Sequence, residues 1–317
     1  MLQQEEPLEE EKQSFIYNKQ QLSIGSSQEV FNKSVKSRND KYNKTRENII
    51  GSIINNKVPH DFYKNYYWYE LRYGIITFLI TLSPEPFIKV ECLHKGGRGN
   101  NYDFTFRINY EDGLMPTEKH IEFKYGAKSI NETPQFVSPM NPSKYLISNS
   151  SYEEYVYDNY LPILSEKSGF PMPVKEEYVK EIHSTSPPCM KLIQTLYYQG
   201  CKKSSKYTGA EEAVAFYELC KKLSKESIQH FINESELDIE LLSKYLYDTQ
   251  KNKVYMLYSN KKFILENVNM DNYKLVSVTK NPSKQRYECI SENGKKVNIL
   301  LRWKNGNCIA YPAFQIS

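Results

Sequence analysis

Hydrophobic and polar positions along the chain change their period several times. From Ser26 a polar, lysine-rich stretch carries Val30, Val35, Ile49, Ile50, Ile53 and Ile54 at helical spacing, and it ends at Asn55-Asn56 ahead of Pro59. Asp61 is placed to cap a second helix through Tyr63, Tyr66, Tyr67, Trp68, Leu71, Ile75 and Leu79, whose last third reads equally well as strand. Pro84 and Pro86 stop it. The period then falls to two. Residues 87–94 and 102–110 alternate on either side of Lys95-Gly-Gly-Arg-Gly-Asn-Asn, a hairpin signal, and Glu111-Asp-Gly turns the chain into a third alternating strand, Lys119 to Tyr125. In that strand Ile121, Phe123 and Tyr125 share one face, and His120, Glu122 and Lys124 the other.

Beyond Gly126 the pattern turns helical. Residues 152–164 form an aromatic helix bent or ended at Pro162, and further helices are predicted near Met190–Tyr198, Ala210–Leu223, Ser227–Asn233 and Asp238–Tyr247. From Val254 short strands alternate with Asn/Gly/Ser turns, which puts a boundary near Thr249–Lys253. The expected organisation is an acidic, disordered leader over 1–25, an α/β domain over 26–165, a helical segment over 166–250 and a β-rich module over 251–317.

The 317 residues are 39 % hydrophobic and 25 % charged, which excludes a wholly disordered chain and a fibrous repeat. The longest apolar run, Tyr73 to Leu82, is too short for a bilayer crossing of roughly 20 residues, so a soluble protein without a membrane partner is expected. The start of the chain lacks the basic and apolar stretches of a secretory signal, predicting a protein kept in the cytoplasm or nucleus and not secreted. The six cysteines form no CxxC pair and no zinc spacing with histidine, and reduced thiols are expected. The excess of Lys over Arg, with abundant Asn, Tyr and Ile, suits an AT-rich coding sequence.

The net charge of +4 is unevenly spread. Residues 251–317 hold twelve Lys/Arg against four acids, the footprint of a polyanion binder or of a solvated lysine-rich surface. Arg302, Trp303 and Lys304 interleave charge with an aromatic ring, a pattern that serves phosphate contact and base stacking or, equally, a core tryptophan with a charged rim.

Chemistry concentrates on Asp103, Glu122 and Lys124. If their strands are neighbours the three meet. Paired carboxylates repel unless a cation lies between them, and hard oxygen donors suit Mg²⁺, with Mn²⁺ as a substitute. The Phe123 carbonyl is a further candidate ligand. Lys124, two residues beyond Glu122, is placed to orient or deprotonate a water and to offset charge on a reacting phosphorus.

Asp103 followed by Ile121-Glu122-Phe123-Lys124 resembles the D…(D/E)xK signature of the PD-(D/E)XK, or restriction-endonuclease-like, nuclease superfamily. The order of helix, strand, hairpin with the first acid, strand with ExK and helix matches over roughly residues 60–165. Asn101-Tyr102 stands where many members have proline before the first acid. The resemblance implies an α/β fold, a restriction-endonuclease-like mixed sheet flanked by helices, with the helical extension and C-terminal β-rich module added. It implies an Mg²⁺-dependent phosphodiesterase, endonuclease ahead of exonuclease and DNA ahead of RNA. It also implies an acid from the preceding helix, with Glu70 the first choice and Glu47 the second, and a glutamine near the site, Gln135. Arg98 and Lys128, with the C-terminal trio, are the candidate nucleic-acid contacts. Duplex cutting is compatible with a homodimer, and the RWKN-type ending resembles nuclease-like proteins of large DNA viruses.

Other chemistry fits less well. The glycine run lacks the Lys-Ser/Thr end of a phosphate-binding loop and precedes a strand. His94 and His120 are single strand histidines, more often structural than catalytic, and no GxSxG elbow occurs. Two other readings stay open: an inert nucleic-acid-binding protein that keeps a nuclease-like fold, and an interaction protein whose Tyr/Phe-rich surface binds another protein.

Overall fold

Alternation around residue 87 and helical spacing before it produce the layers seen in the computed structural model. The structure describes residues 13–32, 39–95, 100–111, 114–132, 141–147, 151–184, 186–304 and 306–316. It divides into two units, residues 1–134 with 251–268 and residues 135–250 with 269–317. Val35, Arg98 and Gln135 lie outside the described residues.

The first unit begins with a hairpin of β1 (Ser14–Tyr17) and β2 (Gln20–Ser23), followed by α1 (Ile24–Asn32), α2 (Asn39–Ile54) and α3 (Tyr66–Leu82). Strands β3 (Phe87–His94), β4 (Phe104–Tyr110) and β5 (Thr117–Tyr125) form an antiparallel meander. The sheet is completed by β6 (Lys253–Ser259) and β7 (Lys262–Asn267) in the order β3-β4-β5-β6-β7. Strand β6 pairs parallel to β5, a pairing that requires a long connection, and β7 returns antiparallel. One core holds Trp68, Leu71, Ile75 and Phe78 of α3, Ile49 and Ile50 of α2, and Phe104, Phe106, Ile121, Phe123 and Met256 of the sheet. A smaller cluster, Ala127, Ile130, Tyr255 and Leu257, uses the alternate positions of β6.

Three expectations change here. The leader is not disordered up to residue 25: Asn18 and Lys19 at φ 47° and 62° make a tight turn whose twist suits two-residue hairpins, so the chain folds from Ser14. The second helix is capped by Asn65, whose side chain accepts from the Tyr67 N–H, while Asp61 lies in a preceding 3₁₀ turn. Its last third stays helical, because Ile75, Phe78 and Leu79 keep the buried stripe at helical spacing. Finally, residues 253–267 belong to the first unit's sheet and not to a separate C-terminal module, since β6 completes backbone pairing along β5.

The second unit holds α4 (Tyr152–Asn159), α5 (Leu161–Ser168), α6 (Lys175–Glu181), α7 (Lys191–Gly200), α8 (Glu211–Glu234) and α9 (Ile239–Gln250). Its antiparallel sheet is formed by β8 (Leu275–Asn281), β9 (Arg286–Ser291), β10 (Lys296–Trp303) and β11 (Pro312–Ile316), in the order β11-β10-β9-β8. Pro162 starts α5 where the sequence predicts a break. The two helices expected over 210–233 are one, because Ser224 and Ser227 are buried and the Ser227 hydroxyl donates to the Ser224 carbonyl at 3.0 Å.

Trp303 is a core residue and not a stacking platform. It is 6 % exposed, and its Nε1 donates to the Tyr152 hydroxyl at 2.9 Å. Arg302 alternates to the exposed face and donates to Gln315 Oε1 at 2.5 Å, and Lys304 follows half-buried. Among the described residues no helix is long and apolar enough to cross a membrane. Replacing Trp303 with Ala is expected to cost about 3–5 kcal/mol of stability in a denaturant melt.

Candidate functional site

The site grows from the β4–β5 register. Phe104 pairs with Ile121, so Asp103, one residue before β4, lies beside the Glu122–Phe123 peptide. Its backbone N–H donates to the Ile121 carbonyl at 2.9 Å, and its Oδ2 accepts from the Phe123 N–H at 2.8 Å. The predicted trio therefore meets. Lys124 Nζ reaches Glu122 Oε1 at 2.5 Å.

Glu122 is 4 % exposed, a position where an ionised carboxylate needs compensation. It has two partners. The second is Lys253 Nζ, 3.2 Å from Oε2, on a side chain that is 1 % exposed. Parallel pairing of His120 with Lys253 and of Glu122 with Tyr255 brings that lysine to the site. Sequence reasoning missed it: a single lysine at a strand start carries no signal until the strand's neighbour is known.

The helix glutamate whose charge couples to these acids is Glu47, the second choice from sequence. Its carboxyl is pushed up to about 8, by burial first and then by the charges of Asp103 and Glu122. Asp103 is pushed up to about 7, by burial and then by Glu122, against the opposing pull of the Phe123 N–H, Lys124 and Lys253. Burial pulls the Lys253 ammonium down, and Glu122 holds it up. Three carboxyl groups thus share one poorly solvated space with two ammonium groups.

Glu70 does not join them. It lines a separate small pocket with Tyr66, Tyr67, Tyr258 and Lys261, and its charge acts on Tyr258. The reason is rotational: Leu71 and Ile75 fix the buried face of α3, which turns Glu70 toward that pocket. Lys128 is exposed just beyond β5. His94 packs its ring against Phe104 and Tyr17, over Gly51, where an added Cβ would lie 2.3 Å from Nε2. His120 stacks on Tyr102 with ring centroids 4.1 Å apart. Both histidines read as packing groups. Arg302, Trp303 and Lys304 belong to the second unit.

As they stand, no three His, Cys, Asp or Glu side chains among the described residues are arranged to hold a metal ion. Ammonium groups take both oxygens of Glu122. The donor chemistry nevertheless fits a hard divalent cation. The carboxyl groups of Glu47, Asp103 and Glu122 are all oxygen donors, and the first two are raised by burial first and then by like charge, the part that such an ion would relieve. No protein-family model matches this sequence, and no curated protein matches it.

The raised acids fix the sign of a pH effect. Between their ordinary range and their folded values, Glu47 and Asp103 bind more protons folded than unfolded, so the metal-free protein loses stability as pH rises. The loss is expected to amount to several kcal/mol from about pH 5 to about pH 8, and to be smaller in Glu47→Gln, as read by thermal melts across pH in EDTA.

Proposed function

We propose that this protein is a metal-dependent nuclease of the restriction-endonuclease-like kind, hydrolysing phosphodiester bonds, with DNA ahead of RNA as substrate and internal cuts ahead of end digestion. The observation that carries the reading is the meeting of Asp103 with the Glu122–Lys124 pair across neighbouring strands. The electrostatic coupling of Glu47 to the same acids supports it, as does the order of helix, antiparallel meander and parallel fourth strand.

Asp103, Glu122 and the Phe123 carbonyl would hold Mg²⁺, or Mn²⁺ in its place, which when bound supplies Lewis-acid activation of water and phosphate. The remaining work falls to side chains. Lys124 is 20 % exposed against 1 % for Lys253, so it is the ammonium free to leave Glu122 for the reacting groups. There it orients the water that attacks phosphorus and offsets the charge that builds as the P–O ester bond breaks. Lys253 stays on Oε2 and keeps the Glu122 carboxylate fixed while Lys124 is elsewhere. Glu47, which favours its protonated form near neutrality, is placed to yield that proton as positive charge enters the site. Lys128, Arg302 and Lys304 supply candidate phosphate contacts.

One observation favours the inert nucleic-acid-binding reading: the two ammonium groups already satisfy Glu122 without a metal. Activity separates the two. Supercoiled DNA, linear duplex, single strands and RNA are incubated with the protein in Mg²⁺, Mn²⁺ or EDTA. Metal-dependent cleavage that falls by about 10²–10³ in Glu122→Ala and Lys124→Ala is the expected result. Binding without cleavage in every metal would overturn the nuclease reading. Lys253→Met tests the positioning of Glu122: Mn²⁺ affinity, measured by calorimetry, is expected to fall about 10–100-fold, with a folded far-UV spectrum.

A further inference from the structure

Helix α3 buries one face and leaves a second apolar face in water. Trp68, Leu71, Ile75, Phe78 and Leu79 face the core. On the other side Tyr66, Tyr69, Tyr73, Ile76 and Ile80 are 58, 56, 65, 43 and 59 % exposed. Their spacing of 3, 4, 3 and 4 residues is the stripe by which one helix packs along another, and it runs about 21 Å. Isolated exposed apolar residues need no explanation, but five in one register form a surface.

We infer that this stripe is the contact between two copies of the chain, packed as antiparallel α3 helices about a two-fold axis near Tyr73. Three observations point to a second copy. First, the stripe is nearly symmetric about its centre: positions 66 and 69 lie seven and four residues before Tyr73, and 76 and 80 lie three and seven after it. A two-fold interface needs this property, because each position meets its mirror position on the partner. The aromatic end of one helix then meets the aliphatic end of the other, Tyr66 against Ile80. Second, the face can meet itself without a charge penalty. The helix carries only Glu70 and Arg72 as charged residues, and the Arg72 guanidinium lies 4.5 Å over the Tyr63 ring of its own chain. Third, the area suffices. At about 200 Å² for a fully exposed large side chain, the five residues offer roughly 600 Å² per copy, before the exposed flanks at Thr77 and Thr81 are added. A standard interface buries about 800 Å² per partner, so a dimer of micromolar strength is expected.

This inference is independent of the nuclease reading, and its test needs no activity. Sedimentation equilibrium of the full chain should show a reversible monomer–dimer equilibrium. Tyr73→Glu places like charges opposite each other at the axis, and should raise the dimer Kd at least about 100-fold. Tyr73 is exposed, so the thermal melt of the monomer should be unchanged. Tyr73→Lys should fail alone in the same way, and an equal mixture of the two variants should recover a dimer, which places the axis at this residue. A monomer at all concentrations up to about 0.1 mM would overturn the proposal, as would a dimer indifferent to Tyr73→Glu. A monomer that binds phosphatidylcholine–phosphatidylglycerol vesicles through the same residues would overturn it in favour of a lipid surface.

Discussion

Glu122 is a carboxylate taken out of water in the middle of a sheet, and an ammonium group holds each of its oxygens. Removing either partner would leave a buried charge half matched, a state that costs several kcal/mol. The arrangement constrains the fold around it. Lys124 is supplied by the same strand, but Lys253 arrives only if β6 lies parallel to β5, and that pairing requires the chain to leave the unit and return. The ion pairs and the sheet topology are therefore one requirement.

The two lysines divide their work by exposure. Lys253 is sealed, so its place on Glu122 is fixed architecture. Lys124 reaches solvent and keeps some freedom to move. Around this pair Asp103 and Glu47 carry charge that the protein resists, and both are pushed above the ordinary carboxyl range. Such a cluster stores a preference for incoming positive charge. In the nuclease reading that charge is a divalent cation, which in turn would hold the anionic phosphodiester.

The part of the fold legible in the sequence was the part fixed by local pattern. Strand β3 occupies the expected residues, and β4 and β5 lie within two residues of theirs, because alternating side chains and turn residues act over short distances. The trio Asp103, Glu122 and Lys124 followed from that meander. What lay hidden depended on distant pairing or on rotation. Lys253 had no signal of its own. Glu70 ranked ahead of Glu47 on paper, and which of them nears Asp103 and Glu122 rests on how each helix turns its core stripe toward the sheet. Trp303 could serve a strand's inner or outer face, and the register of β10 turned it inward. The β1–β2 hairpin did have a readable signal, with Phe15 and Tyr17 alternating ahead of the Asn18-Lys19 turn.

Glu47, Asp103 and Glu122 form one charge-dense cluster, and its two raised acids, Glu47 and Asp103, give up protons when a cation enters. Titration calorimetry of the metal-free protein with Mn²⁺, at about pH 6.5 in buffers of different ionisation enthalpy, counts those protons directly. The account predicts saturable binding with about one or more protons released per site, and fewer in Glu47→Gln. Binding whose heat is the same in every buffer, or no binding at millimolar Mn²⁺, would contradict it.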